Sequence, residues 1–279
     1  MIDKKYMAPL WIKYPEISES SIGWRMGYGE VYAEEFYDWF YALSKEEKEE
    51  FEEKFPKPLL WNIMMYEICT YNNYHIRKWK KIRGYSVDTL IEERKAGLER
   101  PIICFWGHRN RGRSVGKECF SQWYKADFRV NHLRYCCMEQ YMMAEKARIF
   151  GDEEIAKQIM DETMQDKIKG LGRKVKNFDE NIWNEVKYHI VLTGNYYKFS
   201  QNKQLRQVLL STGESILVEA SPLDMIWGIG IDANNENAYH PEKWNGSNLL
   251  GFALTEVREE IKRIRKYENE ILNLQDDDT

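Results

Sequence analysis

Cysteine is scarce in this chain: five thiols among 279 residues, Cys69, Cys104, Cys119, Cys136 and Cys137. Their number is odd and no CxxC pair occurs, which excludes a zinc ribbon and speaks against a disulfide framework. Histidine is equally sparse, with five widely spaced residues and no HExxH or DxDxDG pattern, so no metal site is expected. No apolar run approaches the roughly 20 residues of a membrane span. Met1-Ile2-Asp3-Lys4-Lys5 leads into no apolar stretch of a secretory signal. A cytoplasmic protein with no membrane partner is therefore expected. Excess positive charge is also missing: 41 basic residues face 45 acidic ones, a net charge of −4. A chain that wraps long stretches of nucleic acid is normally basic, so any such contact here is expected to be local.

Aromatic residues are plentiful, at 14% with ten tryptophans, enough to fill cores and also to stack on planar ligands. Composition shifts near residue 98. The first part, residues 1–98, is expected to be a helical extension. One helix is predicted over about 30–43, with Phe36, Trp39, Phe40 and Leu43 on one stripe. Ser44 and Glu47 form a capping box for the next, which ends at Phe55 before Pro56 and Pro58. A further helix is predicted within 59–83, closing in the basic run His75–Arg83. That run, 75–83, interleaves cations with Trp79, as a local DNA contact would. A short helix over 86–96 follows.

The second part opens on the apolar strand 102–106 and a glycine- and arginine-rich loop, 107–117. FSQWYKADFRV (120–130) reads as strand-like. A strong helix is predicted over 135–150. Gly151 ends it, and Asp152 caps a helix with Ile155, Ala156, Ile159 and Met160 inward. Helices are also predicted at 163–171, 181–198, 202–211 and 249–274, and a strand at 215–219. Many helices with few strands predict an α+β class rather than a parallel α/β sheet. The expected units are 1–98, 99–268 and an acidic tail, 269–279.

Chemistry concentrates on the helix of residues 135–150. Glu139 and Lys146 lie two turns apart, so they share a face, and the lysine leans back toward the carboxylate. A carboxylate and an amine among Met142 and Met143 suit proton transfer or imine chemistry. The same spacing also suits an ordinary surface ion pair. In ASPLDMIWGIGIDA (220–233), Trp227 is flanked by Gly228 and Gly230, which permit close backbone approach, and Asp224 and Asp232 can read ribose hydroxyls. A tight turn with a core tryptophan fits that segment equally. In WNGSNLLG (244–251), Asn245, Ser247 or Asn248 can cap the last helix. Arg109, Arg111, Arg113 and Lys117, interleaved with glycines, can grip a diphosphate or remain a solvated loop. Arg173 stands out in LGRKVK (171–176).

Several of these segments occur together and in a fixed order: FWGH (105–108), FSQWY (120–124), MEQYMMAEKA (138–147), KIKGLGRKVKNFD (167–179), NYYKFSQN (195–202), LLSTGESILVEASPLDMIWGIG (209–230) and WNGSNLLG (244–251). In this they resemble the NADAR, or YbiA-like, family over about residues 101–265. The resemblance implies a compact, mainly helical α+β domain over 99–268 and hydrolysis of N-glycosidic bonds, with no cofactor. The substrate it implies is ADP-ribose attached to guanine in nucleic acid, or alternatively ribosylated aminopyrimidines of riboflavin synthesis. A module that binds ADP-ribose or NAD without chemistry is the remaining reading. Carried over residue by residue, the resemblance implies Glu139 and Lys146 as catalytic. It implies Trp123, Tyr124, Arg173, Asp224, Trp227 and Asn248 as substrate-binding. The family often has Asn and Phe where this chain has Gln122 and Trp123.

Overall fold

The computed structural model describes residues 5–62, 66–79, 84–109, 112 and 114–272. It is a mainly helical α+β structure in which short strands pair two at a time. The N-terminal region carries α1 (Leu10–Lys13), α2 (Glu30–Ala42) and α3 (Lys45–Lys54). The Ser44–Glu47 capping box forms as the sequence predicts, each side chain bonded to the other residue's backbone N–H. Phe36 of α2 meets Phe51 of α3 at 5.8 Å between ring centroids, which closes the aromatic seam between the two helices.

Among the described residues of 59–83 the expected helix does not form. The described part is a β-hairpin, β1 (Tyr66–Tyr71) against β2 (Tyr74–Trp79), antiparallel with Tyr71 opposite Tyr74. Asn72 and Asn73 supply the turn at φ 47° and 63°, the left-handed pair that a tight two-residue hairpin needs. The hairpin also revises the expected DNA contact. Arg77 donates to the Leu60 carbonyl and to Ser20, Lys78 pairs with Glu185, and Trp79 is buried with its indole on Thr193. These side chains bind the hairpin to its own protein; residues 80–83 lie outside the described residues. After them come α4 (Val87–Lys95) and the parallel pair β3 (Ile102–Phe105) and β6 (Ile216–Glu219).

The rest packs around α5 (Met138–Ile149), preceded by the small hairpin β4 (Phe128–Val130) and β5 (Leu133–Tyr135). Residues 121–127, expected to be strand-like, are turns and irregular backbone. Helices α6 (Glu153–Asp161), α7 (Gln165–Gly172), α8 (Glu180–Gln201), α9 (Lys203–Ser211) and α10 (Leu249–Ile264) complete the order. α10 is shorter than the predicted 249–274. Past Ile264 the chain turns back, and Ile271 bridges to Tyr6 where three backbone hydrogen bonds join residues 5–6 to 270–272. The start of the expected acidic tail is therefore docked. One continuous core joins residues of 6–79 to α5, α8 and α10. Among the described residues no helix is long and apolar enough to cross a membrane.

The hairpin seam gives a first prediction. Trp79 packs edge-on against Tyr196 of α8 at 6.0 Å. Trp79→Ala should destabilise the protein by about 3–5 kcal/mol in denaturant titration, as large-to-small core changes do. A loss below about 1 kcal/mol would show that the extension is loosely attached.

Candidate active site

Helix α5 is buried on nearly every side, although it carries three polar residues deep in the structure: Glu139, Gln140 and Glu145. Two of them are spent internally. Gln140 donates to the carbonyls of Ile159, Met160 and Glu162 and accepts from the Cys136 amide. Glu145 takes the Tyr74 hydroxyl and pairs with Arg148. Glu139 instead faces a cavity of about 1370 Å³. A buried carboxyl held away from water loses its preference for the charged form. Burial lifts Glu139 to about 7, and the neighbouring Asp224 carboxylate pushes the same way; Lys169, a hydrogen bond from Trp123, and Arg173 oppose the rise.

Lys146 lines the same cavity but does not reach back to Glu139 as the helix geometry suggested. Its Nζ donates to the Gly172 carbonyl at 3.0 Å and sits over the Phe178 ring, 4.1 Å from its centroid, with Trp183 beyond. Burial lowers its pKa, which moves it toward the neutral amine that a nucleophile requires. The cation that Glu139 feels most is Lys169 of α7, a residue the sequence reading passed over.

Trp123, Arg173, Asp224 and Trp227 also line the cavity, so six of the eight expected site residues converge there. Trp123 lies between the His108 ring, 5.6 Å away, and Lys169 Nζ, 5.7 Å from its ring. The loop that carries it is braced from below. Lys198 of α8, fully buried and brought down to about 8 by burial, donates to the carbonyls of Cys119 and Ser121. Asp224 Oδ1 accepts from the backbone N–H groups of Ile226 and Trp227, which fixes the turn that presents Trp227. Gly228 permits a close approach, but to protein rather than ligand: a Cβ there would stand 2.7 Å from the Glu219 carbonyl.

Two expected residues are not on the cavity wall. Tyr124 is half-buried against the core, with Lys198 Nζ 5.7 Å from its ring. Asn248 is wholly buried at the start of α10, at φ 51°, and makes no side-chain cap. Its Oδ1 accepts from Glu219 N and its Nδ2 donates to Leu217 O, so it staples α10 to β6. Of the basic loop, Arg109 and Lys117 line the cavity, and Lys117 Nζ donates to the Cys104 carbonyl; Arg111 and Arg113 lie outside the described residues.

Sequence reading missed one further group. Glu219, the last residue of β6, also lines the cavity. Burial raises it to about 8, with Asp224 and Glu139 pushing upward and Lys169 opposing. The only hint lay in a carboxylate closing an apolar strand.

The NADAR domain model matches residues 104–262. N-glycosidase R617 of Acanthamoeba polyphaga mimivirus is 46% identical over 168 residues, covering 58% of this chain and 98% of that protein. N-glycosidase Npun_R5314 of Nostoc punctiforme is 32% identical over 146 residues, 52% of this chain and 86% of that protein. The NMR structure of the E. coli protein YbiA superposes with a TM-score of 0.50 at 24% identity, over 61% of this chain and 89% of that one, and so shares the fold.

Proposed function

Since this chain belongs to the NADAR domain family, we propose that it is an N-glycosidase that hydrolyses the bond between ribose C1 and the exocyclic amine of a base. The observation that carries this reading is a buried carboxyl poised near neutrality, Glu139, in one cavity with a desolvated lysine, Lys146. A glycosylamine can open to an imine at C1. The Lys146 amine then adds to C1, the bond from C1 to the base nitrogen breaks with protonation of that nitrogen, and a lysine Schiff base remains. Water adds to this imine, the C1–Nζ bond breaks, and the ribose aldehyde closes again. Glu139 moves protons in these steps. In the competing route Glu139 activates water directly and Lys146 supplies only charge.

The finer reading is removal of ADP-ribose from guanine in nucleic acid. Room and charge support it. The cavity, at about 1370 Å³, exceeds the roughly 300–1,000 Å³ usual for small-ligand sites, and a ribosylaminopyrimidine would leave much of it empty. Arg109, Lys117, Lys169 and Arg173 on its wall suit a diphosphate. A buried carboxyl near neutrality on the cavity wall favours chemistry over binding alone. In this reading residues 99–268 carry the chemistry, residues 1–98 brace it, and 269–279 form a tail.

The test is incubation with ADP-ribosylated guanine in DNA and, separately, with a ribosylaminopyrimidine, followed by mass identification of products. Free ADP-ribose and restored guanine are expected. Release only from the pyrimidine would reassign the substrate, and intact substrates in both arms would refute the glycosidase reading.

A further inference from the structure

The site described above contains a second carboxyl that the chemistry of Glu139 and Lys146 leaves without a task. Glu219 is held with unusual firmness. Its amide donates to Asn248 Oδ1 at 3.0 Å, its carbonyl accepts from Ile229 N at 2.9 Å, and its strand pairs with β3 at Phe105. Its side chain, by contrast, leaves one oxygen unmatched: Oε2 is shut off from solvent and has no hydrogen-bond partner among the described residues. Leaving a buried polar oxygen unmatched is destabilising, so a purely structural residue would be better replaced by an apolar one. The groups facing it are Glu139 from α5, Asp224 from the loop after β6, and Lys169 from α7.

We propose that Glu219 is the general acid of the glycosidase reaction: its carboxyl proton passes to the base nitrogen as the C1–N bond breaks, while Glu139 takes the proton of the incoming nucleophile. This assignment rests on the glycosidase reading above and divides its proton chemistry between two residues. The electron pair of the breaking bond leaves on nitrogen and is captured by the Glu219 proton, releasing a neutral amine. The lone pair of Lys146 or of water forms the new bond to C1, and the displaced proton goes to Glu139. A proton then returns from Glu139 to Glu219, so water is the only co-reactant. Burial raises both carboxyls, and the charge of Glu139 raises Glu219 further, so the pair favours holding a proton.

Glu219→Gln keeps the shape of the side chain and removes the acid. A kcat reduced by about 10²–10⁴-fold is expected, with KM within about threefold of wild type. The fall of wild-type kcat/KM above about pH 8 should disappear in the variant, and Glu219→Asp should restore part of the rate. Circular dichroism checks the fold. Independently of any substrate, infrared spectra of the free protein at pH 7 should show a protonated-carboxyl band that Glu219→Gln removes; its absence overturns the proposal. An active wild type whose Gln variant keeps its rate within about threefold sinks this role alone. A wild type that releases no base sinks the glycosidase reading and the role with it.

Discussion

Glu139→Gln should lower kcat by about 10²–10⁴-fold and at the same time make the protein more stable at neutral and higher pH. Both effects come from one fact, the burial of this carboxyl at 3% exposure beside Asp224. The rate is lost because an amide cannot take and return a proton. The stability effect follows from linkage. In the folded protein Glu139 holds its proton up to about pH 7, whereas in the unfolded chain it releases it near the ordinary value of 4.5. Between those limits the folded state binds more protons, so stability falls as pH rises through about 4.5–7 and stays reduced above. Glutamine carries no such penalty, and the gain above pH 7 can reach about 3 kcal/mol, less whatever the Trp123 hydrogen bond contributes. Thermal melts at pH 5 and pH 8 with parallel turnover assays decide the matter. A variant that keeps activity within about tenfold removes Glu139 from the chemistry. One that is destabilised equally at both pH values shows the carboxyl to be a structural group.

Lys146→Arg should be as inactive as Lys146→Ala, with kcat reduced at least about 10³-fold. The lysine amine is placed for chemistry by desolvation and by the rings of Phe178 and Trp183. A guanidinium in its place keeps the charge but does not give up its proton, so it cannot form the imine. Borohydride added during turnover should reduce the wild-type Schiff base to a stable amine. Intact mass should then rise by the ADP-ribosyl or ribosyl adduct, and peptide mapping should place it on α5. Near-normal turnover by the Arg variant would transfer the reaction to the direct-water route.

Much of the fold was legible because its signals are local. The Ser44–Glu47 box, the Asp152 cap and the limits of α5 are read from spacings of three or four residues. The hairpin at 66–79 was legible too, in the pair Asn72-Asn73 between β-branched and aromatic residues, but the basic run that starts within its second strand favours a helix on sequence alone. The site divides in the same way. Glu139 and Lys146 were found because they lie on one helix. Lys169 and Glu219 were not, since only the packing of α7 and β6 brings them to the wall. Asn248 illustrates the converse: its place suggests a helix cap and the family resemblance a substrate contact, whereas the fold spends both ends of its amide on β6.

That staple has a consequence in time. The strand ending at Glu219 lies between β3, more than a hundred residues earlier in the chain, and Asn248, which follows it. Parallel pairing over such separations is slow, because chain closure must precede any reward. During synthesis, which proceeds from the N-terminus, the helix bearing Glu139 and Lys146 emerges well before β6 and Asn248 can secure the opposite wall. A nascent chain therefore carries the carboxyl of Glu139 and the amine of Lys146 for a time without a finished cavity around them. The wall that Glu219 supplies is secured only once Asn248, at the start of α10, has docked on β6.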